Sequence, residues 1–284
     1  MVKITNATSH EEIGEGLYRV SEEIYRSHPS LNHSNLKNIF PPNTPADFIY
    51  KQNHPKKSTE AMEFGKALHI AIFEHEHFDD ACAISPDVDR RTKAGKEEHA
   101  KFLEEHANKI HLSQEEFDSI YRIMETCQKH SALSFLNKNA GYPEVSGFFE
   151  YMGISCKFKV DYFMDNGLIC DLKTTLSGHE RSFRNSVLDY NYHTQAEYYM
   201  MALELLTGVS FDTFVWIVVE KLPPHKIYLY EPSKRWLDLA RSEISSAIDL
   251  YIDCKSKNYW PGVPESVVTL EVPRWLEERD QNVY

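Results

Sequence analysis

The sequence predicts one α/β or α+β domain, in which a mostly helical first half precedes a sheet-containing second half. Helical spacing of apolar residues dominates positions 1–140. From about position 142 the apolar residues alternate or run together as they do in strands. No linker separates two independent units, so we expect a single domain over 1–284, with a helical elaboration over 1–140 and a sheet core over 141–284.

In the first half, positions 61–73 carry apolar residues at helical spacing. Ser9-x-x-Glu12 and Ser113-x-x-Glu116 match the capping box that opens a helix. In the second half we expect strands first, and the run FVWIVV at 214–219 is typical of a buried central strand. The predicted elements are strands at 145–151, 155–164 and 168–174, a helix at 190–206, strands at 214–219 and 225–230, and a helix at 233–255.

The charge balance excludes binding of polyanions by bulk attraction, because 31 basic and 43 acidic side chains give a formal net charge of −12. Contact with nucleic acid would need a local basic patch. Such a patch is present where Arg90, Arg91, Lys93 and Lys96 place four positive charges in a short segment without an acid. The alternative is a solvated helix start, since two glutamates follow directly. Lys157, Lys159, Arg181 and Arg184 are candidates to extend the patch.

No stretch approaches the roughly 18 to 20 apolar residues that cross a bilayer, and the first residues lack an apolar signal segment. We therefore expect a cytoplasmic protein. The five cysteines are scattered and form no C-x-x-C pair, which disfavours a zinc ribbon, an iron–sulfur cluster and a disulfide framework. They are expected to be small core residues.

The segment 157–174 alternates with a period of two around Asp165-Asn166-Gly167, which suits a three-residue hairpin loop closed by Gly167 in the left-handed conformation. In that register Asp161 lies opposite Asp171, and Lys159 opposite Lys173. The alternation predicts that one face of the hairpin packs in the core and that the other face carries the candidate catalytic residues. The predicted core face is Phe158, Val160, Tyr162, Met164, Leu168, Cys170 and Leu172; the opposite face is Lys157, Lys159, Asp161, Phe163, Ile169, Asp171 and Lys173.

Two carboxylates that face each other across a hairpin repel, and a divalent cation between them removes that cost. Oxygen ligands suit Mg²⁺, which takes one or two carboxylates together with a substrate phosphate. Lys173 lies on the same predicted face as Asp171 and is placed to orient or deprotonate an attacking water. The alternative is an exposed sheet face with a solvated salt bridge.

Several motifs along the chain resemble those of the PDDEXK nuclease superfamily, in its RecB-like branch. Lys159-Val160-Asp161 and Ile169-Cys170-Asp171-Leu172-Lys173 resemble its catalytic hairpin, Gln195-x-x-x-Tyr199 its Q-x-x-x-Y element, and Gly65-x-x-x-His69 its G-x-x-x-H helix. The segment 89–96 and Ser34-x-Leu36-Lys37 resemble elements of phage and prophage exonuclease VIII (RecE-like) proteins. The resemblance runs from about residue 28 to Pro273-Arg274-Trp275 and implies a restriction-endonuclease-like core with a mixed central sheet.

The resemblance implies roles for matching residues. Asp161, Asp171 and the carbonyl of Leu172 would bind the metal, His69 would complete its ligands, and Lys173 would act on the attacking water. Gln195 and Tyr199 would position DNA or brace the site, and Glu144 occupies the place of a glutamate that many members carry. Arg90, Arg91, Lys93, Lys96, Ser34 and Lys37 would contact DNA. Without the resemblance, His69 is better interpreted as a buried structural histidine. The adjacent Gly65, lacking a side chain, predicts close approach of this helix to the sheet.

The function that follows is a Mg²⁺-dependent exodeoxyribonuclease, with Mn²⁺ able to substitute because histidine is a softer ligand. By resemblance it would degrade one strand of linear duplex DNA from the 5′ end, as a homo-oligomeric ring in a bacterial host cell. The 3′ tails that it leaves would serve recombination through a single-strand annealing protein. The alternatives are a PDDEXK endonuclease, a single-strand DNase, and an inactive DNA-binding or interaction module.

Overall fold

A computed structural model of the chain describes residues 2–55, 59–136 and 141–273. Arg274 and Trp275, with which the resemblance ends, lie outside the described residues. The strands are β1 (Ile4–Asn6), β2 (Gly16–Arg19), β3 (Leu31–Asn32), β4 (Cys82–Ile84), β5 (Ile110–Leu112), β6 (Tyr142–Tyr151), β7 (Ile154–Phe163), β8 (Leu168–Thr175), β9 (Thr213–Glu220) and β10 (Ile227–Tyr230). The helices are α1 (Glu22–Ser27), α2 (His33–Leu36), α3 (Pro45–Asn53), α4 (Glu60–Phe73), α5 (Phe78–Ala81), α6 (Lys93–Glu105), α7 (Gln114–Lys129), α8 (Glu180–Asp189), α9 (Tyr192–Thr207) and α10 (Lys234–Lys257).

An eight-stranded mixed sheet forms the centre, which confirms the predicted α/β class. Its order is β1-β2-β6-β7-β8-β9-β10, and β3 pairs with β7 beside this path. Antiparallel ladders join β2-β6, β6-β7, β7-β8 and β9-β10, whereas β1-β2, β3-β7 and β8-β9 are parallel. Strand β9 lies between β8 and β10 and is buried along most of its length, as its continuous apolar run predicts.

Helices cover both faces of the sheet and create two apolar cores. On one face α2, α3, α8, α9 and α10 pack against the sheet, and this core includes Leu36, Phe48, Phe183, Ala196 and Ile244. On the other face α4, α5 and α7 enclose a second core with Leu68, Phe78 and Ile120. The three-layer arrangement follows from apolar side chains on both sides of the central strands.

The first half is not helical throughout, because β1, β2 and β3 belong to the central sheet. These strands are two to four residues long and too short to show a period in sequence. Helix α8 was also missed in the second half. Ser113 and Glu116 form the predicted capping box at α7, but Ser9 makes no cap bond, since Glu12 turns back to the backbone N–H of Thr8.

The turn between β7 and β8 confirms the predicted hairpin loop. Gly167 has φ +87°, and the N–H of Met164 donates to the carbonyl of Leu168 at 2.9 Å. The observed pairs Tyr162–Cys170 and Phe163–Ile169 have the predicted register. The ladder stops there, so the predicted pairs Asp161–Asp171 and Lys159–Lys173 do not form. Beyond this point β3 pairs with β7 instead, at Leu31–Cys156 and Asn32–Lys157.

The predicted core face of the hairpin is wrong in part. Phe158 and Val160 pack in one core together with Phe163 and Ile169, whereas Tyr162, Cys170 and Leu172 pack in the core on the opposite face. The side-chain alternation of β7 therefore reverses around Asp161. The β6-β7 ladder is interrupted at the same place, between Pro143–Tyr162 and Val145–Val160, and Glu144 there has φ +50°. A local break in the strands moved every later side chain to the other face.

All five cysteines are free and buried, as expected of core residues. Within the described ranges, no helix combines the length and the apolar character needed to span a bilayer.

Candidate metal centre and active site

The interruption between β6 and β7 brings two carboxylates and a histidine together. His69 of α4, Glu144 of β6 and Asp161 of β7 each offer a ligand atom, and these three atoms lie within 4.8 Å of one another. Nδ1 of His69 is 3.3 Å from Oδ2 of Asp161 and 3.7 Å from Oε1 of Glu144. Glu144 and Asp161 occupy the position where the regular ladder would pair them, so the break directs both carboxylates toward α4.

Packing of α4 on the sheet places His69. The ring of Phe73, one turn further along this helix, stacks on Tyr162 at a centroid distance of 5.6 Å, directly beside Asp161 in sequence. His69 contacts Phe73 edge to face. Residues four apart share a helix face, so the contact that docks Phe73 also brings His69 to the sheet. Gly65 does not serve the close approach predicted for it, since a Cβ there would meet nothing within 4 Å.

Lys159 forms an ion pair with Glu144, through the carboxylate oxygen that is not directed toward His69. Its Nζ lies 2.8 Å from Oε2 of Glu144 and 3.2 Å from Oε2 of Glu22 on α1. Burial lowers the pKa of Lys159, but the two carboxylates outweigh it and raise the pKa above its usual value. The pair occupies one oxygen of Glu144 and leaves the other, Oε1, toward His69.

A second group of polar residues lies beside the first, along β8 and α9. Nζ of Lys173 is 2.5 Å from Oδ2 of Asp171 and donates to Oε1 of Gln195 at 2.9 Å. Nε2 of Gln195 donates in turn to the hydroxyl of Tyr199 at 3.1 Å. The ring of Tyr192 lies 4.4 Å from Nζ of Lys173. This ammonium group is therefore held by a carboxylate, an amide and an aromatic ring.

The two groups are joined through Leu172. Its backbone N–H donates to Oδ2 of Asp161 at 2.8 Å. Among the described residues only Glu144 and Asp161 converge with His69; Asp171 does not, although its charge is close enough to act on Asp161. The predicted ligand role of the Leu172 carbonyl stays a prediction.

Burial and mutual charge shift the titration of these groups. Burial lowers the pKa of His69, but Asp161 and Glu144 outweigh it and raise the pKa to about 10. Burial raises the pKa of Asp171 to about 6, with Asp161 adding to this and Lys173 opposing it. Burial raises the pKa of Asp161, yet the net shift is downward because His69 and Lys173 stabilise its anion. The two shifts favour a negative charge on Asp161 and a positive charge on His69.

The donor set fits a hard divalent cation. Glu144 and Asp161 offer carboxylate oxygens, His69 offers an imidazole nitrogen, and the three come from different elements of the rigid framework. Two carboxylates with one histidine are compatible with Mg²⁺ and also with Mn²⁺, which accepts nitrogen more readily. A cation would replace the His69–Asp161 contact as the source of positive charge between the two acids.

Comparison with known proteins identifies the family of this domain. The family model of a PDDEXK-like domain of unknown function (DUF3799) matches residues 32–271. The chain belongs to this PDDEXK-like family. Among solved structures, a crystal structure from Eubacterium rectale described as a "Putative exonuclease" is 16% identical and has a TM-score of 0.63; the match covers 93% of this chain and 99% of that one. At this identity the likeness shows a shared fold.

A second structure, that of SSO0001, is also 16% identical, and the match covers 66% of this chain and 86% of that chain. Its TM-score of 0.24 is too low to indicate a shared fold. No curated protein matches the sequence. The PDDEXK-like family membership and the mixed α/β fold agree with the superfamily that the motifs indicated.

His69, Glu144 and Asp161 form the candidate metal site of this PDDEXK-like domain, and we call these three residues the metal cluster. They line a cleft of about 800 Å³, which we call the metal cleft. Its lining carries charges of both signs, with His69, Glu144 and Asp161 at its wall. The remaining charged residues that line it are Arg19, Glu22, Arg26, Lys66, Glu74 and Lys159.

The residues predicted to contact DNA do not line this cleft. Arg90 and Arg91 lie on the exposed loop before α6, and Lys93 and Lys96 lie on its exposed first turn. Arg91 pairs with Asp89 at 3.1 Å, and Lys93 lies 3.9 Å from Glu97.

Ser34 lies in α2, and Lys37 follows this helix directly. Helix α2 packs on α9, where Nε2 of His33 and Oγ1 of Thr194 form a hydrogen bond of 2.8 Å. Their predicted role in DNA binding stays a prediction.

Lys157 does not extend the basic patch, because its side chain is buried and its Nζ donates to the carbonyls of Tyr25 and His28. Sequence reasoning also missed two residues of the site, Glu22 and Tyr192, and did not foresee that Lys159 pairs with Glu144 and Glu22. Glu22 and Tyr192 are far in sequence from the hairpin, and only tertiary packing brings them to it. For Lys159 there was a signal, since it lies two residues before Asp161 on the same strand.

Proposed function

We propose that this PDDEXK-like domain is a Mg²⁺-dependent deoxyribonuclease that acts as an exonuclease on linear double-stranded DNA. The observation that carries the proposal is the convergence of His69, Glu144 and Asp161, which the hydrogen bond from Leu172 to Asp161 joins to the strand that carries Lys173. Two carboxylates and a histidine with a nearby lysine are what a metal-assisted phosphodiester hydrolase needs, and the two acids and the histidine line an open cleft.

In this proposal His69, Glu144 and Asp161 hold the cation, with Asp171 and the Leu172 carbonyl as further candidates. A bound divalent cation supplies Lewis-acid stabilisation of the charge that develops on the phosphate. Nζ of Lys173 carries a positive charge at neutral pH, because Asp171 and Tyr192 outweigh the effect of burial and raise its pKa. It is suited to orient the attacking water and to donate to a phosphate oxygen.

Gln195 and Tyr199 act as positioning residues in this scheme. Gln195 accepts from Lys173 and donates to Tyr199, so the chain of hydrogen bonds limits the directions that the ammonium group can take. Glu22 and Lys159 form the corresponding support for Glu144. Supporting contacts of this kind keep reactive groups within the narrow geometry that hydrolysis requires.

The finer assignments rest on the resemblance to exonuclease VIII proteins. They are digestion from the 5′ end, release of 3′ single-stranded tails, a homo-oligomeric ring around DNA, and a single-strand annealing partner in recombination. The same resemblance favours action in the cytoplasm of a bacterial host cell. An acidic chain would reconcile these assignments with its substrate by confining positive charge to the DNA-facing surface.

The test compares linear duplex DNA labelled at the 5′ or 3′ end with covalently closed circular DNA, in Mg²⁺, for the wild type, Asp171→Ala and Lys173→Ala. We expect release of the 5′ label first, an intact circle, and loss of activity in both variants. Cutting of the circle would replace the exonuclease with an endonuclease, and digestion of single strands alone would replace it with a single-strand DNase. Binding without any cleavage would indicate an inactive DNA-binding module, and equal activity of all three proteins would contradict the proposed site.

A further inference from the structure

A depression lined by aromatic and cationic side chains, Lys173 among them, adjoins the metal cleft. Its volume is about 260 Å³, and its lining includes Lys173, Lys221, Tyr190 and Tyr192. Thr174 lines both this depression and the metal cleft, so the two are neighbours along the end of β8. No carboxylate is among the described residues that line it.

Tyr190 and Tyr192 form a stacked pair at this place. Their ring centroids are 5.5 Å apart and the rings are inclined by 29°. Tyr192 is the anchored member, because it lies against Nζ of Lys173 and packs near Phe183. Tyr190 is the open member and is 55% exposed. Asn191 between them is in the left-handed conformation, which turns the chain from α8 into α9 and sets the two rings side by side.

From this arrangement we infer that the depression is a binding subsite for an unpaired nucleobase, which extends the stack Tyr192–Tyr190 next to the scissile phosphate. This inference rests on the proposed function and names the part of the DNA that the site takes. A planar, exposed ring accepts the face of any base, and Lys221, which also lines the depression, is placed to meet a flanking phosphate. The subsite therefore selects DNA whose terminal bases are separated, independent of their sequence.

Aromatic stacking contributes enough per base to be measured by substitution, equivalent to a change of about fivefold or more in Kd. Two changes probe the same contact from opposite sides. Tyr190→Ala removes the ring from the protein, and an abasic nucleotide in a single-stranded overhang removes the base from the DNA but keeps its phosphate. Tyr190→Phe keeps the ring. Tyr50→Ala is the matched control, because Tyr50 is similarly exposed and is also stacked, on His54, at a place outside both depressions.

The experiment measures Kd of the full chain in EDTA for duplexes that carry a four-nucleotide overhang, normal or abasic. We expect Tyr190→Ala to bind the normal overhang at least about fivefold more weakly than the wild type, with Tyr190→Phe and Tyr50→Ala unchanged. The abasic overhang should weaken wild-type binding by a similar factor and add nothing in Tyr190→Ala. Equal binding of both DNAs by the wild type, or the same loss in Tyr190→Ala on both DNAs, would overturn the subsite.

The result is separable from the fate of the nuclease proposal. A wild type that cleaves DNA in Mg²⁺ but shows no dependence on the base keeps the nuclease and removes the subsite. A wild type that never cleaves but shows the coupling between Tyr190 and the base keeps the subsite as a DNA-binding site and removes the nuclease. Circular dichroism of Tyr190→Ala confirms that the exposed substitution leaves the fold intact.

Discussion

The backbone N–H of Leu172 donates a 2.8 Å hydrogen bond to Oδ2 of Asp161. The bond forms just past the last observed pair of the β7-β8 ladder, Tyr162–Cys170. A carboxylate side chain thus supplies an acceptor to the neighbouring strand where the observed backbone pairing ends. Because Asp171 and Lys173 flank Leu172, this bond sets the position of the metal cluster relative to the lysine, and any change at Asp161 acts on both parts of the site.

Substitution of Glu144 is expected to weaken divalent-metal binding. Glu144→Gln keeps the size of the side chain but removes the charge that faces His69, so the affinity for Mn²⁺ should fall at least about tenfold in titration calorimetry. Glu74→Gln is the control, since Glu74 lines the same cleft but is not a member of the metal cluster. Equal losses in the two variants would mean that bulk charge of the cleft, and not the cluster, holds the metal.

Removal of divalent metal is expected to abolish hydrolysis reversibly. Dialysis against EDTA should lower the rate by at least about a hundredfold, and Mg²⁺ or Mn²⁺ should restore it. The metal should also raise the Tm of the wild type, because it binds the folded state and offsets repulsion between Glu144 and Asp161. Asp161→Asn should lack this shift; a full Tm rise in that variant would place the cation elsewhere.

Loss of Gln195 is expected to slow the chemical step through Lys173. Gln195→Ala removes the amide oxygen 2.9 Å from Nζ, so kcat should fall about tenfold with KM changed less than twofold, and Lys173→Met should lower kcat by about a hundredfold or more. Tyr199→Phe, which loses only the hydroxyl that Gln195 contacts, should have a smaller effect. The exposed Gln52→Ala serves as the control. A rise in KM at unchanged kcat would assign Gln195 to binding instead.

The basic segment 90–96, which spans the loop before α6 and its first turn, is expected to contribute salt-dependent DNA affinity. Replacing all four of its cations with alanine should reduce the slope of log K against log salt by about one for each phosphate that these cations neutralise in the wild type. The four are Arg90, Arg91, Lys93 and Lys96. A variant with the same change of net charge, at Lys101, Lys129, Lys255 and Lys257, is the control. Identical slopes for the two variants would favour the solvated-helix interpretation of the segment.

Gly167 is expected to be needed for the stability of the β7-β8 hairpin. It has φ +87°, and a Cβ there would lie 2.6 Å from the carbonyl oxygen of Ser210, so Gly167→Ala should lower the free energy of unfolding by about 2 kcal/mol or more. Gly153→Ala is the matched control, because Gly153 has φ +75° in the β6-β7 turn but open space around it, and it should cost about 1 kcal/mol. Urea denaturation of both variants measures the difference.

Several features of the fold could be predicted because their causes are local. The left-handed glycine and the register next to it follow from the chemistry of a three-residue loop, and the buried strand β9 follows from its unbroken apolar run. The faces of β7 could not be predicted from the same alternation. The break at Glu144 and Asp161 reverses the alternation, and it involves two strands at once, so no pattern within one strand reveals it.

The sequence by itself determined the class of the fold and the hairpin turn, because period and turn chemistry are properties of neighbouring residues. The alternation of the hairpin indicated Asp161, Asp171 and Lys173, and the resemblance to the PDDEXK superfamily added His69 and Glu144. Only the tertiary structure decided how these residues are grouped. The packing of Phe73 on Tyr162 brought His69 to Asp161, and the interrupted ladder turned Glu144 toward both, while Asp171 stayed with Lys173. Contacts between distant segments depend on how the helices pack on the sheet, and no local sequence pattern predicts that packing.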